Sequence, residues 1–329
     1  MLMTPITKKE NVVPFPGDLD LVVRQVQEYV AAASAPATQK AYSSDWRQFE
    51  LWCDSRAFET MPAAPGTVAC YVADQAGAGK KVATLERALV AIGRAHQLAF
   101  AKDDPTKHQM VKETMKGIRR RKSGVQKKAQ PLLFESLQMV VATMQGEGLR
   151  EKRDIAILCL GFMTGLRRSE LVALDVEDLR WAQRGLIVRI RRSKCDQVGE
   201  GRDVVVFRGT GATCPVAAVE AWLAAAGIEE GPVFVGVDRY GNARLHKRLT
   251  DQVVRTVVKE RARAAGLVDS EKLSGHSLRA GLATQAALDG ANLRDIAKQT
   301  GHRSEKVLSG YIRDADLWRN NVTERLARS

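Results

Sequence analysis

The sequence predicts a mainly α-helical chain of two domains, the second carrying a small β-hairpin or sheet. Three observations predict it. Apolar residues make up 45% of the chain but aromatics only 5%, and aliphatics with alanine pack as helices more readily than as a β-sandwich. Apolar positions recur at three- and four-residue steps, while period-two alternation is confined to Leu186–Arg192 and Val204–Phe207. A basic, poorly patterned segment, KGIRRRKSGVQKKAQ at 116–130, separates two stretches that are each long enough for a core of their own.

The elements follow in order. Residues 1–17 hold three prolines and no periodicity, which predicts a flexible tail. From Leu19, Leu21, Val22, Val26, Tyr29 and Val30 mark a first helix. A cap at Thr38 opens a second, with Tyr42, Trp46, Phe49, Leu51 and Trp52 on its apolar side, broken by Pro62 and Pro65. Helices over 67–76 and 82–100 and one starting at Pro105 complete a helical domain over 18–122. A basic linker covers 123–131. In the domain over 132–329, helices are expected at 133–144, 152–164 and 168–174. Strands at 186–192 and 204–207 flank the polar loop SKCDQVGEG. A helix over 215–226, a short strand at 233–235 and helices over 251–265, 276–288, 293–300 and 305–311 follow. The last, over about 316–328, carries Trp318, Val322 and Leu326 at four-residue steps.

Composition narrows the function. The net charge is +13, with 18 basic and 13 acidic side chains in residues 1–125, so that +5 falls there and +8 beyond. Two basic domains point to a polyanion, with nucleic acid ahead of a membrane surface, although a merely basic surface would look the same. Seven of residues 116–128 (Lys116, Arg119, Arg120, Arg121, Lys122, Lys127 and Lys128) are basic and suit either a solvated linker or one that crosses a DNA backbone. The five cysteines are unpaired in spacing, the start has no signal-peptide core, and the longest apolar run, Ile155–Met163, is half a membrane span. The expectation is a cytoplasmic protein, nucleoid-associated if the host is a bacterium, with no membrane partner. Gly79-Lys80 mimics the end of a nucleotide loop, but Asp74 and Lys81 stand where Gly and Ser or Thr are needed.

Three short segments carry chemistry. In SGHSLRAG at 274–281, His276 and Arg279 are three apart and share a helix face, one group able to move a proton and the other to fork two phosphate oxygens. In TGLRRSEL at 164–171, Gly165 ends one helix and Arg167 begins the next, where an anion is favoured, with Glu170 placed to orient it. Gly301-His302 is followed nine residues later by Tyr311, a candidate nucleophile whose phenol needs cations beside it. Each alone has a bland alternative: a chance pair, a surface ion pair, a core tyrosine.

Together with Tyr311-Ile-Arg313, these segments resemble the tyrosine recombinase family, also called the phage integrase family, and within it Cre-like enzymes. The resemblance is specific over about residues 150–315 and is one of layout before that. It implies a SAM-like core-binding domain and a mixed α/β catalytic domain forming a C-shaped clamp on DNA, with an exchange helix at the C-terminus. It implies a site-specific recombinase that cuts and rejoins duplex DNA through a 3′-phosphotyrosyl intermediate and a Holliday junction. Tyr311 attacks, Arg167 and Arg279 clamp the non-bridging oxygens, His276 is the base or proton shuttle, and His302 donates to the phosphate. Lys194 is the expected general acid, chosen over the nearby Arg191, Arg192 and Arg202. The linkage conserves bond energy, so neither ATP, metal nor other cofactor is needed. The partners implied are double-stranded DNA sites and, on them, a homotetramer of chains that are monomeric when free. The terminal helix either caps its own domain or docks on a neighbour. Alternatives are a type IB topoisomerase, a telomere resolvase, or a non-catalytic DNA-binding regulator.

Overall fold

The computed structural model describes residues 24–25, 29, 35–99, 104–122, 130–191, 200–302, 308 and 310. The tail over 1–17, most of the linker, Lys194, Tyr311 and the terminal helix lie outside them. The chain divides into two compact units, Met1–Gln126 and Lys127–Ser329.

The first unit is helical. Helix α1 (Pro36–Asp54) begins two residues before the expected cap at Thr38, because Pro36, whose fixed φ suits a first turn, takes that position. Pro65 likewise opens α2 (Pro65–Gly77) rather than only ending what precedes it. Helix α3 (Val82–Leu98) and a 3₁₀ turn (Pro105–Lys107) lead to α4 (Gln109–Arg121). Their core holds Phe49, Trp52, Tyr71, Leu85, Ile92 and Met115. Leu51, expected inward, is exposed, since two steps from Phe49 is the far side of a helix. The basic run is helical up to Arg121, and part of it is paired at home: Lys116 with Glu113, Arg119 with Glu86, and Lys122 donating to the Lys80 carbonyl.

The second unit is built round α6 (Leu149–Thr164), which follows α5 (Phe134–Ala142) and is buried on nearly every side. Helix α7 (Arg168–Ala173) comes next, then three strands. Strand β2 (Gly185–Ile190) pairs antiparallel with both β1 (Leu179–Ala182) and β3 (Arg202–Phe207). The sequence had indicated β2 and β3 but not β1, where only Leu179 is buried and no alternation shows. Val188, Ile190, Val204 and Val206 face the core, and Val205 and Phe207 face outward. Helix α8 (Pro215–Ala226) packs on α6 and sends Trp222 Nε1 to the Val233 carbonyl at 2.7 Å. The expected strand at 233–235 is displaced: β4 (Val235–Val237) pairs with β5 (Ala243–Arg248), and Val233 and Phe234 are core side chains preceding it. An apolar run signals burial before it signals pairing. Helices α9 (Asp251–Ala264), α10 (Gly275–Leu288) and α11 (Leu293–Thr300) complete the described fold. The result is mostly helical with two small antiparallel sheets.

Candidate active site

The site is assembled where three helix ends meet. Helix α6 stops at Gly165, whose φ of +60° is left-handed, so the chain reverses into α7. Arg167 is the residue that caps α7. The Glu170 carboxylate accepts from Arg167 twice, from the backbone N–H at 2.9 Å and from Nη1 at 2.5 Å. With 3% of its side chain exposed, Glu170 is a fixed anchor for a guanidinium that remains 23% open.

Helix α10 opens with a capping box. Ser274 accepts from the His276 N–H at 3.2 Å, and Ser277 Oγ accepts from the Ser274 N–H at 2.9 Å. This places His276 in the first turn and Arg279 one turn below it. Arg279 is 1% exposed. Its Nη1 donates to the Gly165 carbonyl at 2.7 Å and to the Thr300 carbonyl, and its Nε donates to His302 Nε2 at 3.3 Å. These acceptors are neutral oxygens and an imidazole nitrogen, so the arginine's charge is carried into the interior with hydrogen bonds but without being cancelled by them.

His302 follows the end of α11. Because Nε2 accepts from an arginine, the ring proton belongs on Nδ1, which lies 2.7 Å from Thr300 Oγ1 and donates to it. Thr300 in turn donates to the Ile296 carbonyl at 2.6 Å. Burial pushes the His302 pKa down to about 3, with Arg279, Arg167, His276 and Arg202 pushing the same way. The ring is neutral at neutral pH. His276 is lowered too, by desolvation first and then by Arg279, Arg167 and Arg168. Both effects favour the neutral, proton-accepting form of its ring.

Arg167, Glu170, His276, Arg279 and His302 are therefore brought together, although 135 residues separate the first from the last. In this geometry His302 Nε2 is an acceptor, so donation to a phosphate, as expected from the sequence, requires the ring to exchange its present partners. Lys194 falls in the connection between β2 and β3, and it and Tyr311 lie outside the described residues. Of the alternatives to Lys194, Arg191 is engaged with Asp175, Glu177 and Asp178. Arg202 donates to the carbonyls that end α11. The sequence drew no attention to Thr300 or to the Gly165 carbonyl, since neither belongs to a residue type that signals phosphate chemistry.

Two guanidinium groups and two imidazoles thus lie close together, groups of the kind that can hold a phosphate's oxygens and move a proton. Comparison with known proteins gives the family. The model of the family described as "Phage integrase family" matches residues 130–317. An integrase/recombinase XerD homolog from Selenomonas ruminantium is 35% identical over 297 residues, 89% of this chain and 86% of the relative. The Cre recombinase of Escherichia phage P1 is 24% identical over 295 residues, 85% of this chain and 84% of that one. A lambda integrase tetramer bound to a Holliday junction superposes with a TM-score of 0.57 at 16% identity, over 92% of this chain and 80% of that one, a likeness of fold. With more than half of the chain matched by the family model and a relative of 35% identity along most of its length, the chain belongs to the phage integrase family and is a tyrosine site-specific recombinase.

Proposed function

We propose that this recombinase cuts and rejoins duplex DNA by attack of Tyr311 on a phosphodiester, forming a 3′-phosphotyrosyl bond and releasing a 5′-hydroxyl. Arg167, held by Glu170, and Arg279 bind the non-bridging oxygens and neutralise the charge that grows there as the phosphorus becomes five-coordinate. His276, kept neutral by the surrounding cations, takes the tyrosine proton directly or through water. When the substrate enters, His302 leaves Arg279, takes the tautomer protonated at Nε2 and donates from there to the phosphate. Lys194 protonates the departing 5′-oxygen. Reversal with a second duplex's 5′-hydroxyl exchanges strands through a Holliday junction. The observation that carries the reading is the convergence of Arg167, His276, Arg279 and His302.

The partner is double-stranded DNA. Lys127 and Lys128 and the exposed arginines Arg120 and Arg121, at the end of α4, contribute phosphate contacts, joined by Lys116 and Arg119 when their ion pairs open and by Lys122 when it leaves the Lys80 carbonyl. Synapsis of two sites requires four chains, as in the lambda integrase tetramer, and the segment over 316–328 docks on a neighbour. Acting on DNA, the protein works in the cytoplasm of a prokaryotic host. Among the described residues, no helix is long and apolar enough to cross a membrane. No observation favours a topoisomerase, a telomere resolvase or a regulator.

The test is an SDS-stable adduct. The site is first located by footprinting DNA around the gene, and the protein is then incubated with a nicked duplex carrying it. The wild type is expected to become covalently attached, and Tyr311→Phe to bind without attachment. No adduct on a site that the protein demonstrably binds overturns the reading.

A further inference from the structure

The last turn of α11 ends in carbonyls that no later residue of the helix can satisfy, a condition of every helix C-terminus. Here one side chain from another element meets them. Arg202, the first residue of β3, sends Nη1 to the Gln299 carbonyl at 2.9 Å and to that of Lys298 at 3.4 Å, and Nη2 to that of Thr300 at 3.3 Å. It is a fork closing three successive carbonyls, with its cation at the negative end of the helix dipole. The Thr300 carbonyl is shared with Arg279. Gln299 Nε2 fastens the same turn to β3, donating to the Val205 carbonyl at 3.1 Å, and to α6 through the Met163 carbonyl at 2.9 Å.

The following residue leaves no slack. Gly301 has a φ of +70°, and a Cβ there would lie 2.8 Å from Arg202 Nε. The reversal at Gly301 is thus moulded on the Arg202 side chain, and it returns the Gly301 and His302 N–H groups to the Ala297 carbonyl at 2.7 and 3.2 Å. The His302 ring is the next group along.

We propose that Arg202 is a positioning residue for strand cleavage: by closing the carbonyl end of α11 and shaping the turn at Gly301, it sets where His302 points. It touches no reacting atom. Arg167 and Arg279 belong to the phosphate, whereas Arg202 is spent on backbone oxygens. The proposal rests on the site assignment above for its catalytic consequence, but the fixing of the turn does not.

Two measurements on the full chain test it. In Arg202→Met, hydrogen exchange at the Gly301 and His302 amides is expected to quicken on the order of tenfold or more while protection in α6 and α8 is retained. Arg202→Lys restores part of it. With the nicked duplex, Arg202→Met is expected to lower the single-turnover rate of adduct formation on the order of 10- to 100-fold, with DNA affinity changed less than about threefold. If the effect passes through His302, adding Arg202→Met to His302→Ala costs less than about threefold. Unchanged exchange at Gly301 and His302 overturns the proposal without reference to DNA. Quickened exchange with fully additive rate losses in the double variant overturns the link to His302. Absence of a wild-type adduct overturns the functional assignment, and the exchange measurement still judges Arg202.

Discussion

Glu170 illustrates how one buried carboxylate serves a backbone and a side chain at once. It satisfies the backbone donor at the start of α7 and holds the Arg167 guanidinium. Glu170→Gln keeps the size but removes the charge, leaving a partly buried cation without its counter-ion. Denaturant unfolding is expected to show a loss of about 2 kcal/mol, and adduct formation to fall more than DNA affinity. His302 sets a pH dependence. Its folded pKa is about 3 and its ordinary value is 6.5, so the unfolded chain takes up a proton that the folded site refuses. That contribution to stability is complete above 6.5 and is lost progressively as the pH falls towards 3. His276 is shifted in the same direction and adds to the slope. Unfolding free energy followed from pH 7 to pH 4 should therefore decline, and His302→Asn should flatten the decline.

At the scale of elements, α10 is held by the chain that enters the second unit. Leu132 N donates to the Ser277 carbonyl at 3.0 Å, and Phe134 N donates to Gln285 Oε1 at 3.3 Å. Between these bonds lies Gly281, where a Cβ would fall on the Leu132 carbonyl oxygen and 2.8 Å from its carbon. Backbone cannot swing aside as a side chain can. Gly281→Ala is expected to cost about 3 kcal/mol in chemical unfolding. Gly161→Ala is expected to cost less, since a methyl there meets only the ends of Leu278 and Leu171. Because α10 carries both His276 and Arg279, the Gly281 variant should also slow adduct formation.

For the whole molecule, two units with separate cores each carry part of a +13 charge. Binding to a single duplex site should weaken steeply as salt rises, in proportion to the phosphates neutralised. Removing residues 316–329 should leave that binding and its salt slope in place but abolish the shift to synaptic complexes in native gels. Synapsis at wild-type levels by the truncated chain would contradict docking of that segment on a neighbour.

The helices, and the placing of His276, Arg279 and Arg167 at their starts, were legible because they depend on local spacing. The three-residue step from His276 to Arg279 and the Gly165 stop before Arg167 are properties of consecutive residues. So was the hairpin of β2 and β3, whose alternation reflects one buried face. Strand β1 was not legible, because Arg180, Trp181 and Ala182 lie outward or at an edge, where only pairing with β2 makes them a strand. Nor was the start of β4, because Val233 and Phe234 differ from strand residues only in what surrounds them. The sequence by itself determined which groups could handle a phosphate. Only the tertiary structure decided that Arg279 is buried, that His302 is neutral and accepts from it, and that Arg202 closes α11. Each of these depends on distant segments meeting: backbone carbonyls around Arg279 and around Arg202, and burial beside cations for His302, none of which leaves a mark in an amino-acid sequence.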